Sequence, residues 1–430
     1  MTAAAPAPRG AEAARRVLER CDELARHSSM PDGIERVYLS PEHARVNDIA
    51  AAWMREAGLH SWSDPAGNQC GRRSSDPAGR PALLLGSHLD TVPGAGRYDG
   101  ILGVLVAIEV ADRLRETELP FALEVVAVAD EEGTRFGTTL LGSRALAGSW
   151  REEWQELTDA HGTTLRRAAL DFDLDPDRIA SAAREPGSLV GYLEAHIEQG
   201  PRLEEADRAL GVVTSIAAAE RRLLTFRGQA RHGATPWHLR RDALQGAAEA
   251  VLAMERLARE SGSVATIGHV RVEPDAVNVV PGLAEFSLDL RDETAAGRDA
   301  AWGRIQHELQ AIGLQRGLDL DVVSTHEAPE VVCAPELRDA IAAGIAATGD
   351  AEPPALFSIA GHDAMAVAAI TEVGMLFVRC AGGISHHRDE AVRADDVALA
   401  IDAMEAAVLE LAARRADGAG DTRPSSAIGA

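Results

Sequence analysis

At 430 residues, 46% of them hydrophobic, the chain is long enough for two or three domains with a sizeable core. Its 43 basic residues are all Arg and stand against 67 Asp and Glu; the net charge of −24 argues against nucleic-acid and anionic-membrane partners, and the absence of lysine excludes Schiff-base chemistry and a Walker-type phosphate loop. Cys21, Cys70, Cys333 and Cys380 are scattered with no Cys-x-x-Cys pair, which points to a reducing compartment, the cytoplasm by default, and away from a disulfide framework or a thiolate zinc site.

In chain order, the first sixteen residues lack the apolar core of a signal peptide. Helix-period apolar positions run over 11–27 and 41–57, the second opening at Ser40-Pro41 as an N-cap and first-turn proline. Asp64 to Asn68 is a turn signal. Leu83-Leu84-Leu85-Gly86-Ser87 reads as a buried parallel strand whose end delivers His88 and Asp90, with Asp99 nine residues further on. A buried helix over 101–115 contains Glu109 in its apolar run and is too short to span a bilayer. A second central strand over 121–129 ends in Asp130-Glu131-Glu132-Gly133, three carboxylates that would repel one another at low dielectric unless a cation sits among them. Residues 150–188 are polar and helical in pattern, and a third strand from Leu189 ends in His196, Glu198 and Gln199.

From about Gly211 the texture changes to strands over 222–226, 265–272, 283–290 and 318–323 with helices over 241–260 and 295–313, an order that suggests a separate α+β module inserted in the first domain. The α/β texture then resumes with a helix from Pro335, a helix start at Gly361 to Ala364, a strand over 375–378, the segment Gly382 to Glu390, and a long helix over 395–413. The expected division is a catalytic domain of residues 1–212 and 328–418, an inserted module of 213–327 and a disordered tail of 419–430.

His88, Asp90, Asp99, Glu131, Glu132, His196 and His386 thus collect on strand ends, where open α/β sheets place their sites. Three imidazoles and several carboxylates suit two divalent ions bridged by one carboxylate. At Gly86 to Pro93, Glu131 to Phe136, His196 to Pro201 and Gly383 to His386, in this order, the sequence resembles the hydantoinase/carbamoylase family of dinuclear metallo-amidohydrolases, relatives of the M20 peptidases that include N-carbamoyl-L-amino-acid hydrolases and allantoate amidohydrolases.

The resemblance implies a zinc-peptidase-like α/β catalytic domain with an inserted α+β lid and dimerisation domain, two Zn²⁺, Mn²⁺ or Co²⁺ ions per subunit, a homodimer, and a ureido-acid substrate carrying a carboxylate. It makes Asp99 the bridging ligand, gives His88 and His196 to one metal and Glu132 and His386 to the other, and casts Glu131 as general base, with Asp90 fixing the His88 ring. Gln199, Asn278 and Arg291 match residues that hold the substrate, and His232 matches a lid histidine that reaches the developing oxyanion, in the partner subunit's site. Two departures stand out. From His232 to Pro236 is one step shorter than the family's segment, so that counting back from Pro236 puts Arg231 in the histidine's place, and Ile359 stands where the family has glycine.

Plainer readings exist for several of these residues. Asn278 suits a strand-end amide, Arg291 a surface ion pair with Asp289 or Asp292, and His362 a helix cap. The activity expected is hydrolysis of the carbamoyl C–N bond of an N-carbamoyl-L-amino acid, or of allantoate by equivalent chemistry. An M20-type aminopeptidase or aminoacylase is the same-class alternative, and a catalytically silent dimer that binds a small anion is the alternative of another class.

Overall fold

The computed structural model of the chain describes residues 10–419. Of these, 10–214, Val332–Leu356 and 362–419 form one compact unit, and Ser215–Val331 with Phe357–Gly361 a second. The chain opens with α1 (Ala11–Leu24), α2 (Pro41–Glu56), β1 (Leu59–Ser63), β2 (Gln69–Arg73), β3 (Ala82–His88), α3 (Ile101–Arg113) and β4 (Ala122–Val128). It continues through α4 (Leu141–Leu146), α5 (Leu165–Asp171), β5 (Leu189–Ile197), α6 (Arg202–Glu205) and β6 (Leu210–Ile216). The second unit supplies β7 (Ala218–Arg227), β8 (Arg231–His232), α7 (Ala243–Ser261), β9 (Val264–Thr266), β10 (Val270–Glu273), β11 (Val279–Val280), β12 (Leu283–Asp292), α8 (Ala295–Arg316) and β13 (Asp319–Ala328). Last come β14 (Val331–Val332), α9 (Pro335–Ala347), β15 (Ala355–Ser358), α10 (Ala364–Val367), β16 (Val373–Val378) and α11 (Ala394–Ala419).

The larger sheet has the order β1-β2-β4-β3-β5-β16-β6-β14, with β15 paired to β6. β3 is parallel to β4 and to β5, and β16 is parallel to β5, so four adjacent strands end on one rim. Every residue of β3, β4 and β16 is buried, as strands covered on both faces require. Leu83, Leu85, Leu123 and Val125 join α1, α3, α9 and α11 in one apolar cluster, while Tyr38, Phe136, Trp154 and Leu165 belong to another. Ser40 caps α2 by accepting from the His43 N–H, with Pro41 in the first turn. The Asp64 carboxylate accepts the N–H groups of Ala66 and Asn68, closing the hairpin between β1 and β2 that the sequence marked only as a turn.

The second unit has a sheet of order β10-β12-β7-β13 with β9 on β12, and β8 pairs separately with β11. Phe226, Phe286, Leu288, Met254 and Ile305 fill its core under α7 and α8. Both helices carry a side-chain N-cap, Asp242 and Thr294, and both end at a left-handed glycine, Gly262 and Gly317.

Three expectations need correction. The helical pattern over 150–188 breaks into α5 and two 3₁₀ segments, Glu152–Glu156 and Pro176–Ala182, because Gly162 and Asp173 take positive φ and Pro176 cannot continue a helix. The strand read over 265–272 is two strands, β9 and β10, separated by residues 267–269. The last helix runs to Ala419, past 413 and into the first residue of the expected tail; residues 420–430 lie outside the described residues.

α3 lies close enough to the sheet that a Cβ on Gly103 would fall 2.1 Å from the Ala195 carbonyl oxygen and 2.8 Å from Ser87 Cβ. Gly303, on an exposed stretch of α8, faces open space. Gly103→Ala is expected to cost about 1–3 kcal/mol by overpacking. Gly303→Ala should gain roughly 0.5–1 kcal/mol by helix propensity. Urea midpoints of the two variants should therefore move in opposite directions.

Candidate metal centre

The shared rim gathers its ligand-type side chains strand by strand. His88 is the last residue of β3, and Asp90 and Asp99 follow it. Glu131 and Glu132 follow β4, His196 lies near the end of β5, and His386 stands in the loop after β16. The chain must turn sharply to present them, and Asp130, Gly133, Gln199 and His386 all adopt positive φ. Gly100, with φ 72°, lets the backbone pass the imidazole: a Cβ there would lie 2.4 Å from His88 Nε2.

Two groups of side chains, His88 with Asp99 and His196, and Asp99 with Glu132 and His386, each bring their ligand atoms within 4.8 Å of one another and suit a divalent cation. Asp99 belongs to both. Its Oδ1 lies 3.4 Å from His196 Nε2, and both atoms are buried without a hydrogen-bond partner. Such a pair of orphaned atoms is what an ion would satisfy. Asp99 Oδ2 lies 3.0 Å from His386 Nε2, which is in turn 3.3 Å from Glu132 Oε1.

The backbone fixes the rings. His196 Nδ1 lies 2.9 Å from the Ile197 carbonyl and His88 Nδ1 lies 3.1 Å from the Asp90 carbonyl, so donation from both Nδ1 atoms leaves both Nε2 lone pairs facing the site. The Asp90 carboxylate is farther from the His88 ring, at 3.6 Å. It accepts instead the N–H groups of Glu131 and Glu132, at 3.1 Å each. Asp90 therefore acts on both sides of the centre, through its carbonyl on the imidazole and through its carboxylate on the turn that separates Glu131 from Glu132. Arg36, fully buried, holds the same loop from behind: its Nε donates to the Leu89 carbonyl and its backbone exchanges hydrogen bonds with Thr91.

The electrostatics follow from burial and crowding. Burial pushes His88 below its ordinary value, toward the neutral form that ligates. Burial opposes ionisation of Asp99, but the His386 hydrogen bond and the nearby His196 and His88 hold it below the usual carboxylate range. Burial, then Glu132, Asp363, Asp90 and Asp99, push Glu131 well above its usual range. Burial lifts Asp90 to about 6 against its hydrogen bonds from Glu132 and Glu131.

Several placements differ from the sequence reading or add to it. Gln199, expected to touch substrate, donates from Nε2 to Asp99 Oδ2 at 3.0 Å and lies 3.2 Å from Ser385 Oγ. Glu194, His196 and His362 form a third buried group of ligand type, with the His362 ring edge-on to His196 at 4.4 Å. Glu194 sits two residues before His196 on β5, so strand alternation alone puts both on one face. Glu390 accepts the N–H groups of Tyr98 and Asp99, a contact that no local pattern announces.

In the second unit, His232 and Asn278 are neighbours: the Gly233 N–H donates to the Asn278 carbonyl, and β8 pairs His232 with Val279. The His232 ring is exposed and accepts from the Ala234 N–H, while the Arg231 guanidinium turns to the Gln229 amide oxygen. Arg291 is engaged by both oxygens of Asp289 and by the Ile359 carbonyl, the ion pair its sequence neighbours allow.

The model of peptidase family M20/M25/M40 matches residues 84–410. An N-carbamoyl-L-amino acid amidohydrolase of Geobacillus stearothermophilus is 40% identical over 405 residues, 92% of this chain and 98% of the relative. An allantoate deiminase of Arabidopsis thaliana is 37% identical over 419 residues, 89% of this chain and 79% of the relative. The crystal structure of a hydantoinase/carbamoylase family amidase from Burkholderia multivorans superposes with a TM-score of 0.82 at 30% identity, covering 93% of this chain and 98% of that one. The chain belongs to peptidase family M20/M25/M40 and, within it, to the hydantoinase/carbamoylase amidases, hydrolases of carbon–nitrogen bonds.

Proposed function

We propose that the chain hydrolyses the carbamoyl C–N bond of an N-carbamoyl-L-amino acid, giving the amino acid, ammonia and carbon dioxide. The observation that carries this reading is a single carboxylate, Asp99, facing two ligand groups, with Glu131 fixed beside them by Asp90. His88 and His196 would hold one ion and Glu132 and His386 a second, with Asp99 between them; Zn²⁺, Mn²⁺ and Co²⁺ all suit these ligands. Ions held there polarise the ureido carbonyl and lower the pKa of a water toward neutrality.

Glu131 then has one task. With Asp90 holding its N–H, it takes a proton from the attacking water and returns it to the departing nitrogen, while the water oxygen joins the carbonyl carbon. Asn278 and Arg291 are assigned to the substrate carboxylate, Gln199 to a substrate contact through its amide, and the exposed imidazole of His232, rather than the engaged Arg231, to the oxyanion. The second unit is read as lid and dimerisation domain, with His232 serving a partner subunit. Cys21, Cys70, Cys333 and Cys380 are all free and buried, which supports a cytoplasmic setting; among the described residues no helix is long and apolar enough to cross a membrane. Allantoate is the second reading, favoured by the Arabidopsis relative, an allantoate deiminase.

Ammonia release from a panel of N-carbamoyl-L-amino acids, allantoate and a dipeptide tests the reaction. Chelation should abolish release from one ureido acid and added Mn²⁺ or Zn²⁺ should restore it; cleavage of the dipeptide alone would move the chain to the peptidase reading. Glu131→Gln is expected to lower kcat by about 10²–10⁴-fold with metal content unchanged. Absence of turnover in both forms, with an anion still bound, would instead describe a silent binder.

The hydrogen bonds to Asp99 and Glu132 raise His386 from 6.5 to about 10 in the metal-free protein. A raised value means that its contribution to stability is complete below about 6.5 and lost as pH rises through about 10. An ion at His386 Nε2 must displace that proton. Zinc uptake near neutral pH should therefore release about one more proton from the wild type than from His386→Ala, read by calorimetry in buffers of different ionisation enthalpy.

A further inference from the structure

Glu390 lies 291 residues from Asp99 and is buried against it. Its Oε1 accepts the backbone N–H of Tyr98 at 2.8 Å and of Asp99 at 3.1 Å, and its Oε2 accepts the Ser385 hydroxyl at 2.9 Å. Ser385 Oγ also lies 3.2 Å from Asp99 Oδ2. The contacts close a ring: Asp99 backbone, Glu390, Ser385, Asp99 side chain. The ring joins the loop that carries Asp99 to the residue next to His386. The backbone leaves room for it at Gly96, where a Cβ would lie 2.3 Å from Glu390 Cβ and 2.4 Å from its Oε1.

We infer that Glu390, through Ser385, is a positioning residue that sets the separation of Asp99 and His386 and so selectively builds the ion position that these two share with Glu132. The other group, His88 with His196 and Asp99, has its own supports: both its rings are fixed by carbonyls of their own strand ends, and neither touches Glu390. A carboxylate is needed because three donors converge on two acceptor oxygens. In Glu390→Gln one of those oxygens becomes an NH₂ donor: the amide oxygen still accepts from the loop amides, but the Ser385 hydroxyl must then accept from the NH₂ and turn its own proton toward Asp99 Oδ2, the atom that faces His386. The inference rests on the two-ion reading above, and the test separates the two.

Metal-free wild type, Glu390→Gln, Ser385→Ala and His386→Ala are titrated with Zn²⁺ in competition with a chromophoric chelator, and the metal-free forms are compared by thermal unfolding. The wild type should take up two equivalents. Glu390→Gln should weaken the second by at least tenfold and leave the first within about threefold, as His386→Ala does more severely, with Ser385→Ala intermediate; outer partners of ligands commonly carry effects of about 10–100-fold. Replacing Zn²⁺ with Co²⁺ gives a second readout, because loss of visible absorption from one equivalent only marks one site. Two equivalents bound by Glu390→Gln as tightly as by wild type would overturn the inference. Equal weakening of both, together with a lower melting temperature of the metal-free form, would also overturn it and make Glu390 a general structural residue. A wild type that binds one equivalent would overturn the two-ion reading itself and the inference with it.

Discussion

One buried carboxylate has to face two ways. Asp99 sits between imidazoles on either side, with Oδ1 toward His196 and Oδ2 toward His386, and both directions must be held at once for the two ligand groups to share it. A free side chain would rotate between them. Here the backbone on each side is fixed: Gly100 brings the chain past the His88 ring, and the Tyr98 and Asp99 N–H groups are pinned by Glu390. Gln199 donates to Oδ2 as well. The parallel sheet makes this affordable in conformational terms, because four neighbouring strands end together and each needs only a short loop to reach the same point.

That dependence explains which parts of the centre were legible in the sequence. His88, Glu131, Glu132 and His196 each lie on or just after an apolar strand, and the strand pattern alone carries them to one rim, while Asp99 stands eleven residues past the end of β3. His386 likewise stands off its strand, eight residues past β16, yet its motif marks it. Glu390 and Arg36 left no such trace. Each acts on residues far along the chain, Glu390 on Asp99 and Arg36 on Leu89 and Thr91, and a charged residue met singly in a sequence reads as surface. Gln199 shows a further limit, since motif matching names a residue without saying which neighbour its amide meets. In the fold, long apolar runs were legible and short polar pieces were not: the region 150–188 has helix-forming composition, but its chain direction is set by Gly162, Asp173 and Pro176.

The shortened loop after His232 can be followed contact by contact. Arg240 donates to the carbonyls of Thr235 and Gly233 and stacks over Trp237 at 4.0 Å. The Gly233 N–H reaches the Asn278 carbonyl and the Thr235 N–H returns to the His232 carbonyl. The chain after the histidine thus forms a tight, self-bonded turn, while the short β8–β11 ladder keeps Arg231 and His232 in register with Val280 and Val279. Neighbouring residues of a strand point to opposite faces, so the two candidates cannot exchange places without slipping the ladder by one step.

The acidic rim ties the chemistry to stability. Asp90, Asp99, Asp130 and Glu194 are buried there, with Glu131 and Glu132 half-buried beside them, and burial followed by mutual repulsion drives Asp130 and Glu131 well above their usual range. Arg36 is the buried cation behind Asp90, and its own guanidinium is lowered by burial to about 10. One such charge does not offset the set. Protons can do so at a cost in ligand power, because a protonated carboxyl or imidazolium no longer binds an ion. Divalent cations do so without that cost, and binding that favours the folded rim over the unfolded chain stabilises it by mass action. The parallel strands assemble the ligands, and a divalent cation held there would relieve the charge that assembling them creates.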